Sequence, residues 1–176
     1  MIFQKSDSKS ISNAFLSGSV GIMPSDTVFG IFACALNQSS VRRVYSIKNR
    51  DLNKPFILLI SDVSDLNIFG IDLSTDIRSI LNKYWPGPLS VIFDCNDDKL
   101  EYLHRGKKSL AVRLPRDDWL LSIIRKTGPL VAPSANLQGE KTVESAIEAS
   151  DFYVDGEVKI EKGKLAVLRQ GSIELV

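Results

Sequence analysis

The unbroken apolar run Phe-Ile-Leu-Leu-Ile at residues 56–60, entered through Pro55, most narrows the folds open to this chain. A strand with no polar face is buried on both sides, as in sheets that carry packed helices. Strand-like and helix-like segments alternate around it. Ile11, Ala14 and Phe15 recur at helical spacing and predict a helix over 7–17, capped by Ser6 or Asp7 and stopped at Gly18. Residues 20–23 read as a short strand ended by Pro24, and 31–36 as a second apolar run. Val41, Val44 and Tyr45 place a helix at 39–47; Ile77, Ile80, Leu81 and Tyr84 place another at 74–84, ending in Trp-Pro-Gly-Pro. Strands at 89–93, 110–114 and 130–132 and helices at 117–126 and 143–149 complete the pattern. It predicts an α/β sheet with flanking helices, and the turn Asn96-Asp97-Asp98 between the strands at 89–93 and 110–114 allows antiparallel portions.

With 176 residues, 44% of them hydrophobic, the chain suits a single domain over 1–176 with a full core. Its net charge of +1 gives no reason to expect a polyanionic partner for the molecule as a whole. The distribution is uneven. Residues 42–54 hold five basic side chains against the single acid Asp51, and 104–116 hold five with no acid. Positive charge gathers on one face if these segments meet.

Cys34 and Cys95 stand far apart and His104 is the only histidine, so no zinc site forms at the usual spacing and no metal ligands are assigned. Cys34, after Ile31, Phe32 and Ala33, reads as a buried hydrophobe, His104 as a surface residue, and Trp85 as core within a rigid turn. The absence of a charged-then-apolar leader and of a long apolar run predicts a cytoplasmic protein with no membrane contact. Walker A and Rossmann glycine signatures are missing, and His104 has no carboxylate nearby in sequence to complete a Ser-His-Asp triad.

Four polar islands remain at the predicted strand ends: Pro-Ser-Asp-Thr at 24–27, Lys-Asn-Arg-Asp-Leu-Asn-Lys at 48–54, Ser-Leu-Ala-Val-Arg-Leu-Pro at 109–115 and Ala-Pro-Ser-Ala-Asn at 132–136. The crevice at strand ends of an open α/β sheet is where ligands bind, and arginine with lysine suits an anion rich in oxygens. Ser134 and Asn136, followed by Gly139, suit a turn that cradles phosphate before a helix beginning near Thr142. Asp26 fits either a general base or a turn-closing carboxylate.

The motifs PSDTVFGI, KNRDLNKPF, YWPGPLS, VRLP, APSANLQGE and LRQG, in this order, resemble those of the YrdC-like family over residues 10–173. The resemblance implies a twisted, open, mixed sheet with flanking helices and a large basic concave groove. It implies an L-threonylcarbamoyladenylate synthase, which joins L-threonine, bicarbonate or CO2, and ATP accompanied by Mg2+. The products are threonylcarbamoyl-AMP and pyrophosphate, for tRNA modification.

By the same resemblance Lys48, Arg50, Lys54, Ser109, Ser134, Asn136, Thr142 and Arg169 contact ATP, and Thr27 and Arg113 hold threonine. No residue is assigned as a catalytic acid or base. The product is handed to a tRNA threonylcarbamoyl-transferase complex, and a basic groove also suits weak contact with tRNA or double-stranded RNA. A non-catalytic RNA-binding module and a carbamoyl-adenylating domain are the alternatives. Departures from the pattern are Gln138 for a serine, Val-Phe-Gly-Ile for the commoner Tyr-Gly-Leu, and a Pro-Ser-Thr-like element after Gly156 that is absent or reduced to Gly163 and Lys164.

Overall fold

The computed structural model describes residues 5–135 together with two strands at 156–161 and 164–169. Helix α1 (Ser8–Leu16) is followed by β1 (Gly21–Pro24), β2 (Phe29–Cys34), α2 (Gln38–Lys48) and the short strand β3 (Leu58–Leu59). Then come α3 (Thr75–Leu81), β4 (Leu89–Asp94), α4 (Glu101–His104), β5 (Ser109–Arg113), α5 (Asp118–Thr127), β6 (Leu130–Val131), β7 (Gly156–Glu161) and β8 (Lys164–Arg169). The sheet runs β1-β2-β6-β3-β5-β4-β7-β8. The β3–β5 and β4–β7 pairs are parallel and the others antiparallel, including β4–β5 across the acidic turn. No helix among the described residues is long and apolar enough to cross a membrane.

The Phe56–Ile60 run lies at the centre as expected, with Leu58 and Leu59 facing opposite cores. One core joins Leu58 to Val41, Val44 and Tyr45 of α2 and to Ile77 and Leu81 of α3; the other joins Leu59 to Phe15 of α1 and Leu120, Ile123 and Ile124 of α5. The regular ladder of β3 covers only two residues, extended by the bonds from Ile60 N to Arg113 O and from Ala132 N to Ile57 O, each 3.0 Å.

Helix ends follow capping chemistry. Asn37, Ser74 and Asp117 accept from the backbone N–H of Ser40, Ile77 and Leu120, fixing the starts of α2, α3 and α5. Helix α3 ends at Leu81, short of the expected 84, because the next turn tightens: Lys83 N reaches Ile80 O at 3.0 Å and Tyr84 N reaches Leu81 O at 2.9 Å. Trp85 is core, 5% exposed, and its indole N–H donates to Leu89 O. The helix expected at 143–149 lies outside the described residues.

His104 departs from expectation. It is 1% exposed, accepts from Gly106 N at Nδ1 and meets Asp97 O through Nε2, tying together the segment between β4 and β5. Both cysteines are buried free thiols, and burial raises the pKa of each.

Candidate functional site

A cavity of about 430 Å3 lies over one face of the sheet, walled by residues from all four polar islands except the second half of the last. Phe32, Ser90, Ala111 and Arg113 of β2, β4 and β5 line it; Ser25 and Thr27 lie at its hairpin rim, Arg50 and Phe56 at the edge preceding β3, and Ser134 beyond β6. Strand alternation sends Leu110 and Val112 into the core and Ala111 and Arg113 to this face. The crevice expected beyond the strand ends is therefore a hollow on the sheet surface, on the side carrying α1 and α5, with the strand-end loops as its rim.

The β1–β2 connection is shaped by Ser25. Its Oγ accepts from the N–H of Thr27 and Val28 at 3.1 Å and donates to Val28 O at 2.7 Å, closing a tight turn after Pro24. Asp26 and Thr27 meet Arg113, at the end of β5. Arg113 Nη2 donates to Asp26 Oδ1 at 3.0 Å, while Nη1 and Nη2 reach Thr27 Oγ1 at 3.3 and 3.4 Å. The other carboxylate oxygen of Asp26 accepts from Arg116 N at 3.1 Å. Asp26 is thus an ion-pair partner of Arg113, with each carboxylate oxygen accepting one hydrogen bond. Thr27 and Arg113 come together as a unit across 86 residues of sequence.

The segment after β6 continues along β2. Ile31 N donates to Pro133 O and Ala135 N to Phe29 O, each at 2.8 Å, so Ser134 stands opposite Gly30. A Cβ at Gly30 would lie 3.2 Å from Pro133 O and 2.7 Å from the Phe32 ring, so glycine is what lets this backbone approach. From the other side Lys48 Nζ donates to the Ser134 carbonyl. Lys48 continues the Val41, Val44, Tyr45 stripe of α2 and is only 1% exposed; burial, with Arg50 adding repulsion, pushes its pKa down. It positions the Ser134 backbone from within and is not on the cavity wall.

In the basic loop, Arg50 Nε donates to Lys54 O at 3.2 Å and Nη2 to Pro55 O at 3.3 Å, with the guanidinium 5.3 Å from the Phe56 ring centre. Arg50 reaches the cavity; Lys54 is exposed beside it and not on the wall. Ser109 shares the face of Ala111 and Arg113 but stands at the far end of β5, away from the wall. Asn136, Thr142 and the side chain of Arg169 lie outside the described residues; the Arg169 backbone pairs with Glu157 in the β7–β8 hairpin.

Thr27, Arg50, Arg113 and Ser134 are therefore gathered in one hollow, and the two basic segments do meet, through Arg50 and Arg113. Sequence reasoning missed Ser90, only 5% exposed yet on the wall; its signal is a hydroxyl in an otherwise apolar central strand. Among the described residues no group of three or more His, Cys, Asp or Glu is arranged to hold a metal ion. Chemically, the hollow offers guanidinium groups and hydroxyls for an anion over a floor of small and apolar side chains.

Two threonylcarbamoyl-AMP synthases resemble the chain in sequence. That of Pyrococcus abyssi is 29% identical over 152 residues, 85% of this chain and 45% of that protein. That of Bacillus subtilis is 34% identical over 119 residues, 66% of this chain and 34% of that protein. The chain thus spans less than half the length of these relatives. The fold matches P. abyssi Sua5 complexed with L-threonine at a TM-score of 0.84 and 22% identity, covering 97% of this chain and 56% of that one. It matches E. coli YciO at a TM-score of 0.78 and 16% identity, covering 97% and 92%. The family model Sua5/YciO/YrdC, described as telomere recombination, matches residues 13–171, and the chain belongs to that family.

Proposed function

We propose that the protein is an L-threonylcarbamoyladenylate synthase, a nucleotidyltransferase that makes threonylcarbamoyl-AMP and pyrophosphate from L-threonine, bicarbonate or CO2, and ATP carried with Mg2+. The observation that carries this reading is the convergence of Arg113 and Thr27 with Arg50 and Ser134 on one cavity wall. The relatives named as threonylcarbamoyl-AMP synthases support it.

The threonine amine adds to CO2 and loses a proton to solvent, giving a carbamate. A carbamate oxygen then attacks the α-phosphorus of ATP; the new P–O bond forms as the bond to the β-phosphate bridge breaks, and pyrophosphate leaves. Two anions have to be brought together, so aligned cations and hydroxyl groups contribute more than a nucleophilic side chain. Arg113, held rigidly by Asp26 and Thr27, takes the threonine carboxylate. Thr27 positions the amino acid, and Arg50, with the exposed Lys54 beside it, screens the triphosphate. Ser134, Asn136, Thr142 and Arg169 hold the nucleotide, with Ser109 further along the β5 face.

The product is a mixed anhydride prone to hydrolysis, which calls for direct hand-off to a tRNA threonylcarbamoyl-transferase complex. The place of work that fits this reading is the cytoplasm, where ATP and tRNA are both at hand. Incubation with ATP, Mg2+ and bicarbonate, with and without L-threonine, tests the reading: pyrophosphate release should require threonine. Threonine-independent turnover would replace it with carbamoyl adenylation, and salt-sensitive RNA retention with no pyrophosphate would replace it with an RNA-binding module.

A further inference from the structure

Arg50 and Arg105 stand at the two ends of a continuous series of ring contacts. The Arg105 guanidinium lies 5.2 Å from the Tyr45 ring centre, Tyr45 stacks on Phe56 at 4.0 Å, and Arg50 lies 5.3 Å from the Phe56 ring. Both rings are buried, and they separate two hollows. Phe56 lines the cavity described above, whereas Tyr45 and Arg105 line a second one of about 480 Å3; Arg50 borders both.

Hydrogen bonds run beside the stack. Arg105 Nε donates to Leu52 O at 2.6 Å, and the Tyr45 hydroxyl donates to Lys54 O at 3.1 Å, the carbonyl that also accepts from Arg50 Nε. The loop between α2 and β3 is therefore pinned from behind at Leu52 and Lys54. The pins come from Arg105 and Tyr45, both absent from the first cavity's wall. Arg105 also closes α4 at φ 52°, so the backbone that presents its side chain turns sharply away from the helix.

An arginine on an untethered loop would lose rotamer and backbone freedom on gripping an anion, and that loss would weaken binding. We propose that Arg105 and Tyr45 are positioning residues for Arg50: through the ring stack and the two carbonyl bonds they set the loop so that the Arg50 guanidinium faces the cavity before the nucleotide arrives. This rests on the reading above, in which Arg50 screens the triphosphate. Neither Arg105 nor Tyr45 needs to touch substrate.

Two variants leave the core filled. Arg105→Gln removes the guanidinium, and Tyr45→Phe keeps the stack while deleting the bond to Lys54 O. Hydrogen exchange is followed at the amides of Arg50 and Lys54, which donate to Tyr45 O and Asp51 O, and KM is measured separately for ATP and L-threonine.

In both variants the loop amides should exchange about tenfold faster while those of β5 keep their protection. KM for ATP should rise about fivefold to tenfold, with KM for threonine and kcat within about twofold of wild type. Unchanged loop exchange, unchanged KM for ATP, or parallel losses in both KM values and in β5 protection would overturn the proposal. Should the wild-type protein release no threonine-dependent pyrophosphate, the synthase reading falls by itself. Loop exchange together with affinity for pyrophosphate, measured calorimetrically in the same variants, then decides the positioning role.

Discussion

Arg113 on β5 and Asp26 in the β1–β2 turn form an ion pair at 3.0 Å, with side chains only 4% and 10% exposed. Together with the Thr27 bonds to the same guanidinium, this contact fastens a hairpin at one edge of the sheet to a strand near its centre. Removing one partner strands a charge in a desolvated place. Asp26→Ala should destabilise the fold by about 3–5 kcal/mol in urea unfolding, and Asp26→Asn, which keeps one acceptor for Arg113, by less. Equal stability of Asp26→Ala and wild type would show that the pair contributes nothing to the fold.

Thr27→Val keeps the side-chain shape and deletes the hydroxyl that accepts from Arg113. In the proposed reading the same hydroxyl also bonds a charged group of the amino acid, a contact that contributes about 1.5–3 kcal/mol, so KM for L-threonine should rise roughly 10- to 100-fold. Steady-state kinetics with ATP saturating provides the check, and the fold should survive as judged by circular dichroism.

Lys48 links pH to stability. Burial, reinforced by Arg50, lowers its pKa in the folded protein, while the unfolded chain restores the ordinary value of 10.5. Between the two values the unfolded chain holds more protons, so this group's contribution to stability rises with pH in that window. The stability of wild type relative to Lys48→Met should therefore increase as pH climbs toward 10.5, read by urea unfolding of both proteins at several alkaline pH values. A difference that stays flat would mean the ammonium is not desolvated.

Gly87 has no room for a side chain. A Cβ there would lie 2.4 Å from Tyr84 O, a backbone atom that cannot swing aside, and Gly87 N donates to Leu114 O next to Arg113. Gly87→Ala should cost about 1–3 kcal/mol, and the shift should pass to the Arg113 strand as a raised KM for threonine. Thermal unfolding and kinetics together test both parts.

The sheet was legible because its signals are local: the unbroken 56–60 run, the stripe on α2 and the caps at Asn37, Ser74 and Asp117 each act within a few residues. Local pattern marked the polar islands at strand ends, and the resemblance to the YrdC-like family singled out Thr27, Arg50, Arg113 and Ser134 within them. Pairings across long stretches of sequence were not legible. Asp26 finds Arg113 87 residues away, so its ion pair depends on how strands are ordered, which local pattern does not specify. Lys48 belongs to the buried stripe by spacing, seven residues after Val41, yet a charged side chain reads as surface until the Ser134 carbonyl is brought to meet it. His104 reads as surface for the same reason: its partners, Asp97 O and Gly106 N, are backbone groups without a sequence signature. The β7–β8 hairpin went unanticipated, although Glu-Val-Lys-Ile-Glu and the following Lys-Leu-Ala-Val-Leu-Arg carry partial alternation on either side of Gly163.

The synthase activity is decided by one reaction: ATP, Mg2+, L-threonine and 13C-bicarbonate incubated with the protein and resolved by mass spectrometry. The expected nucleotide product carries both the threonine and the labelled carbon, and is lost when any component is left out and lost in Arg113→Ala. A nucleotide product lacking threonine, or one formed equally well by Arg113→Ala, would contradict the synthase reading.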